Sequence, residues 1–139
     1  MGAAIAQLVA SRGAVVSIAD MNEAGLQKTM ASLSGERHIY TVVDVRDATS
    51  VGQWIERTVK ELGGLDGAVN FAGVLAWDRM CKIQDETEDN WDFHMNVNAK
   101  GVFLCLQAQL RRINKGGSIV SPFSPIKCSP PSRIGIPAS

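Results

Sequence analysis

Four times along the chain a short apolar, β-rich run ends in polar side chains. Residues 14–19 lead into Asp20, 38–43 into Asp44, 65–69 into Asn70, and 118–121 into the Ser121 to Ser124 segment. Between these runs lie segments with helical spacing. Strands separated by helices of about 10–15 residues close by right-handed crossovers into a parallel sheet with helices on its faces. The class implied is α/β, a doubly wound parallel sheet or part of one.

The intervening segments carry ordinary helix punctuation. Ile5, Leu8 and Val9 share one face ahead of Gly13, and residues 22–33 place Leu26, Met30 and Leu33 together before Ser34-Gly35. Asp47 caps a helix with Val51, Trp54, Ile55, Val59 and Leu62 on one side and Gly63-Gly64 as its stop. After a polar loop over 77–89, a long helix is predicted to start at Asp89 or Asn90. It runs to Arg111 or Arg112, with Met95, Asn98, Val102, Leu106 and Leu110 near helical spacing.

Composition limits the functions available. With 139 residues, 45% hydrophobic and 20% charged, the chain suits one globular domain. Lys plus Arg and Asp plus Glu number 14 each, with no basic block, which argues against a nucleic-acid partner. Cys81, Cys105 and Cys128 are widely spaced and form no metal-ligand pattern, so no metal is expected and a reducing compartment is. No apolar run approaches the ~20 residues of a membrane helix, and neither an export leader nor an acylation motif is read at the start; no membrane association and a cytoplasmic address are expected. All five prolines fall between Pro122 and Pro137. The expected organisation is a nucleotide-binding unit over 1–121 and an irregular Pro/Ser-rich tail over 122–139.

Open α/β sheets bind ligands beyond the carboxyl ends of their strands. Asp20, Asp44, Asn70 and the Ser121 to Ser124 segment all fall at such ends. Asp20 follows Gly2 at close to the roughly 20-residue spacing between phosphate-binding glycines and a ribose-binding acid. A carboxylate there accepts from both adenosine ribose hydroxyls and repels a 2′-phosphate, favouring NAD over NADP. The other reading of Asp20 is a cap for the next helix, and Asp44 has a corresponding reading as a solvated loop acid.

Taken together these residues resemble the classical short-chain dehydrogenases/reductases. Gly2-Ala3-Ala4-Ile5-Ala6 looks like the last glycine of the TGxxxGxG loop and the helix behind it. Asp44-Val45 resembles the pair that contacts adenine. Asn70-Phe71-Ala72-Gly73 is similar to the NNAG motif, with Phe71 replacing the second Asn. Asn98-Ala99-Lys100-Gly101-Val102-Phe103 resembles the Asn-x-x-Gly-x-Phe helix, and Gly117-Ser118-Ile119-Val120 followed by Ser124 resembles the strand that carries the catalytic serine. The resemblance covers residues 2–121. It implies a Rossmann-like fold and hydride transfer between NAD(P) and a hydroxyl or ketone of a small molecule. Gly2, Asp20, Asp44, Val45, Asn70, Ala72 and Gly73 would bind cofactor; Asn98 would complete a proton relay and Ser124 would be the serine.

Departures from the family pattern set further expectations. The family's first strand and most of its glycine-rich loop precede the residues matched here, and no Tyr-x-x-x-Lys follows Ser124; the sole tyrosine is Tyr40. The fold expected is therefore an incomplete Rossmann-like sheet lacking that strand and the C-terminal part. A buried strand contributes ~1.5–3 kcal/mol per large apolar side chain, against ~5–15 kcal/mol for a whole domain. The strands at 14–19 and 67–69 are expected to have bare inner edges, open to pairing with a homologous chain. Weakened cofactor binding, impaired or absent catalysis, and a truncated, misspliced or frame-shifted product are the corresponding expectations. The alternative function is a non-catalytic fragment or a binding or regulatory partner of a complete homologue.

Overall fold

The computed structural model describes residues 1–75 and 81–121. Its elements follow the predicted alternation: α1 (Gly2–Ser11), β1 (Ser17–Asp20), α2 (Glu23–Met30), β2 (Ile39–Val42), α3 (Ala48–Leu62), β3 (Gly67–Val69), α4 (Glu88–Met95), α5 (Val102–Leu110) and β4 (Ser118–Val120). A 3-10 turn at Ile83–Asp85 precedes α4, and a π-helical segment, Asn96–Gly101, joins α4 to α5. The class is α/β with parallel strands, a partial Rossmann-like sheet.

Pairing divides the strands into two sheets. β1 pairs with β2 in parallel, from Ser17 opposite Ile39 to Asp20 opposite Val42. β3 pairs with β4 in parallel, from Gly67 opposite Ser118 to Val69 opposite Val120. Among the described residues no ladder joins β1 to β3. Among the described residues each strand thus has one unpaired side, and Val15, Val42, Val69 and Val120 are exposed.

The strands are shorter than their apolar runs because neighbouring groups take the backbone bonds. The Ala14 amide donates to the Val9 carbonyl at the end of α1 (3.1 Å), and the Val16 amide donates to Nδ1 of His38 (3.1 Å). Since that nitrogen accepts, Nε2 of the same ring donates to the Ser34 carbonyl at 2.9 Å. Past the ladder, the Val43 amide donates to the Asp20 carbonyl at 3.0 Å, which ties the carboxyl ends of β1 and β2 together.

Capping follows the side-chain chemistry. Asp47 accepts from the Thr49 amide, and Gly63 closes α3 in the left-handed region with φ 87°. Gly13 has φ 90° just beyond α1. Two helices depart from expectation. α2 ends at Met30 rather than 33, because the Ser32 and Leu33 amides bond back only three residues, to Thr29 and Met30. The long helix starts earlier, at Glu88, because Thr87 accepts from the Asn90 amide, and it is interrupted by the π segment.

The core sits between the first sheet and helices α3 and α5. Val43, Val51 and Cys105 form its centre, with Ala19, Val45, Trp54 and Ala108 packed around them. A polar cluster locks α3 onto β1. Trp54 Nε1 donates to Ser17 Oγ (2.9 Å) and Thr58 Oγ1 donates to the Trp54 carbonyl (2.9 Å). Ser17 is left to donate to Thr58 Oγ1 at 2.7 Å. Every hydroxyl and indole proton in this half-buried group has an acceptor, which removes the desolvation cost of placing it there.

Candidate functional site

Parallel pairing puts the carboxyl ends of β1 and β2 on one edge, and those of β3 and β4 likewise. Asp20 is the last residue of β1 and exposed. Its Oδ1 accepts from the Asn22 amide at 2.9 Å, and among the described residues Oδ2 has no partner. The helix cap is Asn22, whose Oδ1 accepts from the Gly25 amide. Asp20 therefore shapes the turn after β1 without capping α2, and presents one carboxylate oxygen at the strand tip.

Asp44 lies two residues past β2. It is not a lone solvated acid: Arg46 Nε donates to both its oxygens (2.9 and 3.0 Å), Arg46 Nη2 to Oδ2 (2.6 Å), and the Arg46 amide to Oδ1 (2.9 Å). The side-chain bonds from Arg46 hold the Asp44 carboxyl below its ordinary range, against the opposing effect of burial, and raise the Arg46 guanidinium. The Asp44 carboxylate is largely occupied by this fork, which leaves the adjoining backbone and Val45 as the surface at the tip of β2.

Val45 packs against the π segment. A Cβ built on buried Gly101 would lie 2.8 Å from Val45 Cγ2 and 3.2 Å from Val45 Cβ, so glycine is required for this approach. Three residues earlier, Asn98 turns its amide to the loop after β3. Its Oδ1 accepts from the Val74 amide at 2.8 Å, and its Nδ2 donates to the Val74 carbonyl at 2.9 Å. Gly73 is in the same contact, since a Cβ there would sit 3.3 Å from Asn98 Oδ1.

At the end of β3, Asn70 is buried. Its amide donates to the Val120 carbonyl (2.9 Å), and its Nδ2 donates to Gln109 Oε1 (3.0 Å) and Ser121 Oγ (3.1 Å). Gln109 Nε2 donates back to Asn70 Oδ1 at 2.7 Å. Phe71 follows, half-buried, and a Cβ on Gly2 would be 3.8 Å from its Cβ, so the first turn of α1 lies beside this loop. No side chain caps α1, leaving its first amides directed past Gly2. Ala72 and Gly73 are exposed between these contacts.

The sequence-predicted residues therefore fall into two linked groups. Gly2, Asn70, Ala72, Gly73 and Asn98 gather around the 70–75 loop, while Asp20, Asp44 and Val45 gather at the tips of β1 and β2; the π segment carries both Asn98 and Gly101 and so spans the two. Ser124 lies outside the described residues. His94 sits on α4 and its Nδ1 donates to the Asn90 carbonyl at 2.8 Å. Tyr40 is on β2, its hydroxyl 3.5 Å from Glu23 Oε1. Trp91 is exposed on α4.

Two residues in these contacts were not singled out from sequence. Gln109 carries the one available signal, a polar side chain on the helical face that buries Cys105. Arg46 carries none, because nothing in its spacing shows that it folds back on Asp44.

A family model described as Enoyl-(Acyl carrier protein) reductase matches residues 1–124. Short-chain dehydrogenase/reductase aba4 of Botryotinia fuckeliana is 40% identical over 128 residues, covering 89% of this chain and 50% of the relative. D-threitol dehydrogenase of Mycolicibacterium smegmatis is 35% identical over 125 residues, covering 87% and 47%. Among solved structures, a short chain dehydrogenase from Burkholderia cenocepacia J2315 in complex with NADP is 36% identical with a TM-score of 0.78, covering 86% of this chain and 49% of that one. The chain spans about half the length of the curated relatives it matches. A matching family model, relatives of this identity and a parallel sheet with its polar residues at the strand tips lead to one conclusion: the chain belongs to the short-chain dehydrogenase/reductase family.

Proposed function

We propose that residues 1–121 form the adenosine-side half of an NAD(P) site in an oxidoreductase that acts on a hydroxyl or ketone of a small molecule, with NAD preferred. The observation that carries the preference is Asp20 at the tip of β1, with one oxygen held by the Asn22 amide and the other unpartnered among the described residues. A carboxylate fixed this way suits a ribose diol and opposes a 2′-phosphate. Gly2 and the uncapped start of α1 suit the pyrophosphate, Asp44-Val45 the adenine, and Asn70, Ala72 and Gly73 the nicotinamide side. The cofactor, when bound, supplies hydride chemistry. This chain's residues bind and orient it, Asn98 holds the 70–75 loop, and Ser124 is assigned to the substrate side.

The same reading gives the 139-residue polypeptide little or no turnover by itself, because it contains no Tyr-x-x-x-Lys to manage the alcohol proton. The second reading, a non-catalytic partner of a homologous chain, is favoured by the sides of β1 and β3 that are unpaired among the described residues. Cysteine usage supports a cytoplasmic setting; among the described residues no helix is long and apolar enough to cross a membrane.

The test is a fluorescence titration of the purified chain with NADH and NADPH, run beside an alcohol-oxidation assay. NADH binding without turnover is the expected result. Turnover at an ordinary enzymatic rate would overturn the assignment of the missing acid–base pair, and absence of binding to either nucleotide would overturn the cofactor reading.

A further inference from the structure

Gln109 is 1% exposed, the most buried polar side chain among the described residues. It projects from the buried face of α5, where a leucine of similar size would fill the space without needing a partner. A buried amide costs free energy unless its groups are satisfied. Here they are satisfied by a single residue, Asn70, through a reciprocal pair: Asn70 Nδ2 to Gln109 Oε1 at 3.0 Å and Gln109 Nε2 to Asn70 Oδ1 at 2.7 Å.

The pair couples the orientations of the two amides. Turning Asn70 over with Gln109 in place would oppose Nδ2 to Nε2 and Oδ1 to Oε1, so neither amide turns without the other. In that orientation the second Nδ2 hydrogen points to Ser121 Oγ, at 3.1 Å, at the carboxyl end of β4. Asn70 is thereby bonded to α5, to β4 and, through its own chain, to the loop that carries Phe71, Ala72 and Gly73. Both side-chain donors of Asn70 are used within the protein. Its influence on a ligand passes through the backbone it holds and through Ser121.

We propose that Gln109 is a positioning residue that acts through Asn70 to set the 70–74 backbone and the Ser121 hydroxyl on the nicotinamide side of the site. The nicotinamide-side assignment rests on the cofactor reading above; the clasp itself does not. α5 supplies the rigid reference, because Leu104 and Cys105 anchor it in the core. Substituting leucine keeps the packing and removes the orientation. Substituting glutamate gives a conditional clasp. Its protonated carboxyl can donate to Asn70 Oδ1 and accept from Nδ2 as glutamine does, whereas its carboxylate can only accept.

The test uses the full chain as wild type, Gln109→Leu and Gln109→Glu. Hydrogen-exchange protection factors are read by amide NMR across pH 5–8, and NADH and ADP are titrated separately. In the wild type the Asn70 side-chain amide is expected to exchange more slowly than that of exposed Gln53. Gln109→Leu is expected to lower protection of amides 70–74 about tenfold at every pH while leaving Ile39–Val42 unchanged, the low end of the net loss of two buried hydrogen bonds. Gln109→Glu is expected to keep that protection at low pH and lose it as the carboxyl ionises. NADH affinity should fall with loop protection in both variants while ADP affinity holds.

Equal exchange of Asn70 and Gln53 side chains in the wild type overturns the clasp, even if a variant fails to fold. Protection lost uniformly through β2, or a Gln109→Glu chain with no pH response in the loop, reduces Gln109 to packing. Equal losses of NADH and ADP affinity overturn the positioning role. A wild type that binds neither nucleotide overturns the cofactor reading instead, and the proposed control of the 70–74 backbone is then decided by exchange alone.

Discussion

Asn98 matches both polar groups of one peptide unit's flanks: it accepts from the Val74 amide and donates to the Val74 carbonyl, at 2.8 and 2.9 Å. A side-chain amide here does what a neighbouring strand would do, pinning a loop that has left the sheet. Asn98→Ala removes both bonds and is expected to lower stability by about 1–2 kcal/mol, two modest net hydrogen bonds. Asn98→Asp keeps the acceptor but sets a carboxylate against the Val74 carbonyl, so it should be at least as damaging above the carboxyl pKa and recover on acidification. Urea denaturation at pH 4 and pH 7 reads both. An Asp variant as stable as wild type at pH 7 would show that the donor bond contributes nothing.

The π segment meets the turn after β2 at Gly101 and Val45. Because a Cβ on Gly101 would lie 2.8 Å from Val45 Cγ2, Gly101→Ala must push the helix or rotate the valine. Overpacking of this kind costs typically ~1–3 kcal/mol. Val45→Ala by itself leaves a small cavity. The double variant should be more stable than the sum of the two losses, since each removes the other's defect. Additive losses in a denaturation cycle would mean that the contact does not limit the approach of α5 to the sheet.

The motifs around the 70–75 loop were legible because each needs a residue type with few substitutes: a glycine where helix meets strand tip, an amide where a loop must be held. Strand and helix order was legible from periodicity for the same reason. The division into two sheets was anticipated only as a bare edge at residues 14–19 and 67–69, because ladder formation depends on which strand lies alongside and not on the run itself. Residues 14–16 read as strand, yet Ala14 serves the end of α1 and Val16 bonds a histidine ring. The bond from Arg46 to Asp44 was invisible because neighbours in sequence are free to point anywhere until the turn is fixed. The π segment was hidden by an apolar pattern that serves an α-helix equally well.

Burial raises the Cys105 thiol to about 11, whereas Cys81 is exposed. Removal from water disfavours the thiolate, which is the reactive form. At pH 8, iodoacetamide should label Cys81 and spare Cys105 in the folded chain, and urea should make Cys105 reactive. The protonation linkage has a definite sign. The folded state favours the thiol, so its contribution to stability is constant below the ordinary thiol pKa. Between that value and about 11 it strengthens the relative preference of the unfolded chain for ionisation, and stability falls as pH rises. Peptide mapping after alkylation gives the site occupancy. Equal labelling of the two thiols in native buffer would contradict the buried placement of Cys105.

Asp20 separates two roles that one carboxylate can serve together. Its Oδ1 is used within the chain, by the Asn22 amide, and among the described residues its Oδ2 is not. If the free oxygen faces an adenosine ribose, Asp20→Ala should weaken NADH and relieve repulsion of NADPH, narrowing the ratio of the two affinities by about tenfold, the scale of one charge-assisted hydrogen bond. If Asp20 serves only the turn, the same change should lower thermal stability and shift both nucleotides alike. Asp20→Asn distinguishes these further, since it retains an oxygen for the Asn22 amide while removing the charge. Parallel titrations with NADH and NADPH, referenced to each variant's melting temperature, give the answer. An Asp20→Asn chain with wild-type melting and an unchanged nucleotide ratio would remove Asp20 from the cofactor site.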